Sequence, residues 1–203
     1  MKQMALTILL TLTSLTGFAA DKAIPAGSYT LDPAHSKVGF EIPHLVISTV
    51  EGRFTAFDGS ITIDPKFEKS KAQINIDVAS IDTGNKDRDD HLRSPDFFDI
   101  AKKDGAKMVF VSKKIVGSGD NFKIIGDLTL KGVRKEVTLE VKYLGNVNDA
   151  YGNNKVVFTA TGKLNRKDFG LTWGKMVEVG PVVGDEVTLN LKIQANKPVA
   201  AQK

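Results

Sequence analysis

The chain of 203 residues contains no cysteine, one tryptophan and three histidines. Without cysteine there is no disulfide framework, no thiol nucleophile and no thiolate metal site, so stability must come from the apolar core. His35, His44 and His91 never fall within five residues of one another. A zinc site needs three or four converging ligands, usually with a pair close on one element. Asp87, Asp89, Asp90 and His91 are adjacent in sequence, but on a helix they spread around the axis. Neither a Ca-binding Asp-x-Asp-x-Asp-Gly loop nor a glycine-rich phosphate cradle is present. No metal and no cofactor are expected.

Catalytic signatures are equally scarce. There is no G-x-S-x-G elbow. "DPAHS" holds Asp32, His35 and Ser36, the residue types of a triad, yet a triad is defined by geometry and not by proximity in sequence. Neighbours on an extended strand point to opposite faces, which separates His35 from Ser36. No catalytic residue is assigned, and the chain is not expected to be an enzyme.

Long apolar runs are missing except at the start, where Lys2 precedes "MALTILLTLTSLTGFAA". A positive residue, a short apolar stretch and a small-residue end read as a signal peptide, residues 1–19, cleaved after Ala19 or Ala20. Threonines and Ser14 interrupt the run, whereas a bilayer span needs about 20 predominantly apolar residues. The expectation is a soluble protein exported to the periplasm, with no stable membrane insertion. Lys2 is the one charged residue removed, so the net charge falls from +4 to +3. Stripes of one charge sign are absent too. Lysines stand singly or in pairs among acids, which argues against a nucleic-acid partner.

What the chain does have is alternation with period two. "QINIDVAS" puts Ile74, Ile76 and Val78 on one face; "EVTLEVKYL" does the same with Val137, Leu139 and Val141. "VTLNLKI" sets Val187, Leu189, Leu191 and Ile193 against Thr188, Asn190 and Lys192. "KVGFEI", "GSITID", "MVFV", "FKIIGDLTL" and "KVVFTATGKL" supply further strands. Turn chemistry at 117–121 and 131–134, and a longer loop at 145–154, separate them. Residues 86–94, and 97–103 after them, read as helix. The pattern predicts one all-β domain over residues 20–196, an antiparallel meander of eight or nine strands, with a frayed tail at 197–203. Gly52, Gly59, Gly126 and Gly162 lie in or beside strands, where glycine commonly marks bulges and barrel corners. Closure also removes exposed edges, so a barrel is favoured over a sandwich. Such a barrel is either filled by side chains or hollow enough for a ligand. A filled barrel would suit a structural or stress-response envelope protein acting through its outer surface. A homodimer is left open.

Five segments in order carry a family resemblance: "YTLDPAHSKVGFEIPHL", "VEGRFTAFDGSITID", "DRDDHLRSPDFFD", "GDLTLKGVRKEVTLEV" and "KDFGL". Together they resemble the YceI-like family of bacterial periplasmic proteins over essentially the whole mature length. The resemblance implies a lipocalin-like antiparallel β-barrel of about eight strands with a short crossover helix. It also implies a carrier or storage role for a long apolar lipid in the barrel. That lipid would be a polyisoprenoid (a polyprenyl diphosphate or isoprenoid quinone) or a fatty amide. "DDHLRSPDFFD" would be the crossover, with Leu92, Phe97 and Phe98 packed across an end or seam, and Arg88, Asp89, Asp90, His91 and Arg93 satisfying helix ends and nearby backbone. One departure is visible. "AKKDGAKMVF" replaces the usual Tyr-Pro pair, so the loop at 101–107 is expected to differ in shape and to offer a basic rim. On alternation and resemblance together, the candidate apolar wall is Phe40, Ile42, Phe54, Ile74, Ile76, Val78, Phe110, Leu128, Leu139, Phe158 and Leu189. The candidate mouth, selecting a head group, is His44, Arg53, Arg88, His91 and Trp173.

Overall fold

Three successive barrel staves break in the middle, and the breaks lie side by side. The structure, a computed structural model, describes residues 23–198. The expected signal peptide, residues 1–19, and the last five residues lie outside the described residues. The first stave is β1 (Gly27–Leu31) followed by β2 (Lys37–His44), the second β3 (Ser48–Phe54) and β4 (Phe57–Ile63), the third β5 (Lys71–Asp77) and β6 (Ile81–Asp82). Asp32 and Asp77 cause two of the breaks. Each carboxylate accepts the N–H two residues on, from Ala34 at 3.1 Å and Ala79 at 2.9 Å, and so caps a single 3-10 turn. The Ser80 hydroxyl then accepts the N–H groups of Thr55 and Ala56, tying the third break to the second.

The remaining staves are β7 (Lys107–Ser118), β8 (Asn121–Leu130), β9 (Val133–Asn148), β10 (Asn153–Asn165) and β13 (Glu186–Pro198). Between the last two lies a small hairpin, β11 (Met176–Val177) and β12 (Gly180–Pro181). All pairings are antiparallel. They run β1-β4-β5-β7-β8-β9-β10-β13, and β13 pairs back to β1 to close the ring. β2, β3 and β6 extend that wall upward from β13. The fold is thus a closed eight-stranded up-and-down barrel, as the alternation and resemblance imply.

The wall is incomplete at the top. β6 ends the sheet order, and β7 begins beside the last residue of β5, with Lys107 opposite Asp77. Helix α1 (Lys86–Arg93) and the turns that follow fill this seam. Asn85 caps the helix by accepting the Arg88 N–H at 3.0 Å. Residues 97–103 do not continue it. Asp99 sits at φ 56°, and its N–H, like that of Phe97, bonds back to Ser94 O, giving a chain of turns. The expected loop at 145–154 is also shorter than the sequence suggests, since strand pairing reaches Asn148 and resumes at Asn153. At the other end, β13 runs through Lys197 and Pro198.

Register shifts fall at Ser112/Lys114, directly opposite Gly126, and at Val157/Phe158, away from Gly52, Gly59 and Gly162. Gly52 and Gly126 face inward beneath aromatic rings. A Cβ on either would lie 2.4 Å from Phe40 Cζ or 2.5 Å from Phe110 Cζ. These glycines let two large rings lie flat along the wall, a use of small residues known in curved sheets.

Beneath the barrel, Tyr29 and Tyr143 are almost completely buried. The Tyr29 hydroxyl donates within a pair of contacts to Pro25 O at 2.9 Å and Asn154 Oδ1 at 3.0 Å. Burial, then proximity to Tyr143, pushes its pKa up to about 12. A raised folded pKa means that this contribution is intact below the unfolded value of 10 and is lost as pH climbs through about 12. Urea midpoints measured between pH 9 and 12 are expected to fall more steeply for the parent than for Tyr29→Phe. Parallel curves would show that Tyr29 is not the group responsible.

Candidate functional site

Alternation turns nearly every apolar face inward, and the volume so enclosed is not filled. Two apolar chambers lie one above the other. The lower, about 140 Å³, is lined by Ile74, Ile76, Phe110, Leu128, Leu139 and Phe158 among others. Phe67, in the turn between β4 and β5, covers its bottom and meets Phe122 edge-on at 4.9 Å. Apolar cavities of about 150 Å³ stay dry. The upper chamber, about 430 Å³, lies under α1 and falls within the roughly 300–1,000 Å³ of small-molecule pockets. Phe40, Phe54, Met108 and Leu189 line both and form the partition between them. A septum of side chains, not backbone, separates the two spaces.

Of the candidate wall residues, Ile42 belongs to the upper chamber only, and Val78 lines neither. Val78 is completely buried, but the strand ends at Asp77 and the 3-10 turn swings its side chain out of the alternating row. Its N–H is held by Ala106 O at 3.0 Å, so it anchors the crossover. Of the mouth residues, His44, Arg88, His91 and Trp173 come together on the upper chamber, and Arg53 does not. Arg53 faces outward and holds Asp82 with Nε at 3.1 Å and Nη2 at 3.0 Å. The Gly84 N–H, then that guanidinium, keeps the Asp82 carboxyl below the usual carboxylate range.

The crossover is both closure and wall. Phe97, Phe98 and Leu92 line the upper chamber, and Phe98 meets Phe54 edge-on at 6.3 Å. Its charged residues fasten it down. Arg88 donates to Thr83 Oγ1 at 2.7 Å and Thr83 O at 2.8 Å, while Asp89 accepts from the Thr83 N–H and hydroxyl. Arg93 reaches Ala79 O at 2.8 Å and Ile81 O at 2.7 Å. His91 stacks edge-on against Phe97 and Trp173 at 5.0 and 5.2 Å and pairs with Asp96 at 3.0 Å. Asp87 and Arg88 are solvent-exposed yet line the chamber, so the mouth opens between the first turn of α1 and the rim at His44, Val182 and Val183. In the departing loop, Lys102 is drawn back onto Asp99 at 2.7 Å, and Lys131 caps Phe97 O.

Sequence reasoning missed Arg166. Only 4% exposed, its guanidinium donates to Gly184 O, Leu171 O and Trp173 O at 2.7, 2.5 and 2.7 Å and to Asp185 at 3.2 Å. It thereby holds the segment 170–185, which carries Trp173, Val182 and Val183 to the chamber. Nothing in "NRKDFG" distinguishes this arginine from a surface one. Leu191 and Ile193, also lining residues, share the parity of Leu189 and were legible. The residues of "DPAHS" are occupied elsewhere. Asp32 holds His35 at 2.8 Å, while the Ser36 hydroxyl exchanges bonds with the Gln194 backbone.

The model of the YceI-like domain matches residues 29–195. A UPF0312 protein of Serratia proteamaculans is 39% identical over 163 residues, 79% of this chain and 82% of that protein. Protein YceI of Escherichia coli strain UMN026 is 39% identical over 188 residues, 91% of this chain and 94% of its own length. Among solved structures, a Campylobacter jejuni YCEI protein superposes with a TM-score of 0.65 at 36% identity, covering 83% of this chain and 97% of that one. A polyisoprenoid binding domain from Saccharophagus degradans superposes with a TM-score of 0.60 at 18% identity, covering 84% and 98%. That second likeness is one of fold.

Proposed function

Because the chain belongs to the YceI-like family, we propose that its barrel encloses one long apolar lipid, a polyisoprenoid or a fatty amide, and serves as an exported carrier or store for it. The observation that carries this reading is the pair of abutting apolar chambers, the upper one bordered by the polar side chains of His44, Asp87, Arg88 and His91. The Saccharophagus domain, described as polyisoprenoid binding, shares the fold and supports the choice of ligand class. Enclosure does the work. Each methylene moved out of water contributes up to about 0.8 kcal/mol, so a long tail supplies affinity without any bond being made or broken. The tail lies past Phe40, Phe54, Met108 and Leu189 into the lower chamber. The head group rests at the mouth among His44, Arg88, His91 and Trp173, where polar contacts discriminate between a diphosphate and a quinone.

The test is direct. The full chain is expressed with its own leader, isolated from the periplasmic fraction and extracted with organic solvent. Mass spectrometry is expected to find about one isoprenoid or other long-chain lipid per protein, on a mature chain beginning at Ala20 or Asp21. An extract without lipid would overturn the carrier reading and favour action through the outer surface. A chain retaining Met1 would overturn the export.

A further inference from the structure

Two hairpin tips beside the mouth bring exposed apolar side chains together, one of them on a strained backbone. In the turn between β2 and β3, Leu45 and Val46 adopt φ 52° and 66°. This is the left-handed region, where glycine is at ease and a β-branched side chain is strained. Val46 is nonetheless 60% exposed and the next residue, Ile47, 86%. The β11–β12 hairpin does likewise, with Met176 75% and Val179 63% exposed. The two tips form one ridge. The Leu45 N–H donates to Val182 O at 2.9 Å, His44 pairs with Val183, and a Cβ on Gly180 would lie 3.0 Å from Val46 Cγ2. In a chain 26% charged, residues 42–50 contain no Lys, Arg, Asp or Glu, and 176–184 contain Glu178 alone.

Stability does not explain the ridge, since glycine at 46 would relieve the strain and a polar tip would cost nothing. Strained apolar residues held in water point to use. The inner side of the ridge identifies that use, because His44, Val182 and Val183 line the upper chamber. We infer that the ridge is where the barrel docks on a lipid bilayer, with both tips among the acyl chains and the mouth against the membrane surface. The inference rests on the lipid-binding reading and adds the surface from which the lipid is exchanged. A ligand leaving at the ridge passes from one apolar surface to another without crossing water. Scarcity of charge lowers the desolvation penalty of insertion, and Glu178, at the turn of the second tip, stays at the level of the head groups. Side chains projecting from two turns also suit a fluid acyl layer better than a rigid, flat partner.

The test uses the exported full chain, vesicles of phosphatidylethanolamine and phosphatidylglycerol, and co-sedimentation. The parent is expected to sediment with the vesicles. V46G/I47S and M176S/V179S should each lower the partition coefficient more than about tenfold. V46G/I47S should melt no lower than the parent, which separates lost docking from lost folding. Tyr151→Ser, at a 90% exposed residue on the opposite end of the barrel, should sediment like the parent. A parent that ignores vesicles, or a V46G/I47S variant that sediments unchanged, overturns the inference. So does sedimentation velocity showing that the substitutions dissociate a parent dimer, since the ridge would then be a self-association surface. Lipid content is measured on each preparation separately. A lipid-loaded parent that ignores vesicles defeats docking alone. A lipid-free parent that docks upholds the ridge and defeats the carrier reading.

Discussion

Leu189→Trp is expected to empty the barrel without unfolding it. Leu189 stands on the partition between the chambers, opposite Phe40 on one side and Gly162 on the other. An indole there has open volume on both sides and blocks the passage between them. Overpacking a filled core costs about 1–3 kcal/mol, and a neighbouring cavity reduces that. A fall in melting temperature of a few degrees, about 2–4 °C per kcal/mol for a chain of this size, is the expected cost. Lipid recovered per protein should drop below about a tenth of the parent value, because a tail confined to one chamber loses the methylenes it buried in the other. Asn190→Trp is the control. Asn190 faces outward and donates to Glu41 at 2.5 Å, a cross-strand pair worth below about 1 kcal/mol. It should retain its lipid. Equal, large lipid losses from both variants would show that the inside/outside assignment of β13 does not govern binding and that the lipid is held elsewhere.

Arg166→Met should be the most destabilising single change at the mouth. The substitution preserves bulk but leaves the carbonyls of Leu171, Trp173 and Gly184 without their shared donor, in a place water reaches poorly. It also leaves Asp185 with Lys167 alone, the group whose hydrogen bond is the main reason its carboxyl lies below the usual range. Leaving buried carbonyls without a donor costs about 1–3 kcal/mol, while Asp185, half-exposed, keeps Lys167 and solvent. Urea unfolding should report a loss of that order, and Trp173 emission should shift to the red as the segment 170–185 loosens. Arg166→Lys should restore less than half, since an ammonium on a flexible stem cannot span three carbonyls as a planar guanidinium does. A midpoint unchanged in Arg166→Met would mean that the segment is held by other contacts.

Much of the wall was readable because period two is a strong signal where strands are long. β9 buries Val137, Leu139, Val141 and Tyr143 in strict alternation, and β13 lines the chambers with Val187, Leu189, Leu191 and Ile193. The same parity places Arg53 outside once Phe54 is inside, so that error was avoidable. Val78 was harder, because its deviation depends on Asp77 capping a turn within what looks like an unbroken strand. Arg166 was not legible, since its partners come from carbonyls five to eighteen residues further along the chain. The grouping of His91, Trp173 and the crossover came from family resemblance, because periodicity does not report which remote segments meet. Hollowness is likewise hidden. A chamber lining and a packed core use the same residues, and the difference lies in glycines such as Gly52 and Gly126 that let rings lie along the wall.

The seam beside β6 bears on edge-to-edge strand pairing between chains. A fully sealed cylinder offers no strand that another chain could extend; a cylinder with an open side does. Here the unpaired side of β6 is two residues long, and its Ile81 carbonyl is taken by Arg93. Asp90 grips the same guanidinium at 3.0 Å from the helix. The site that would template cross-chain pairing is therefore occupied by a cation, and the gap in the wall is open to side chains but closed to foreign backbone.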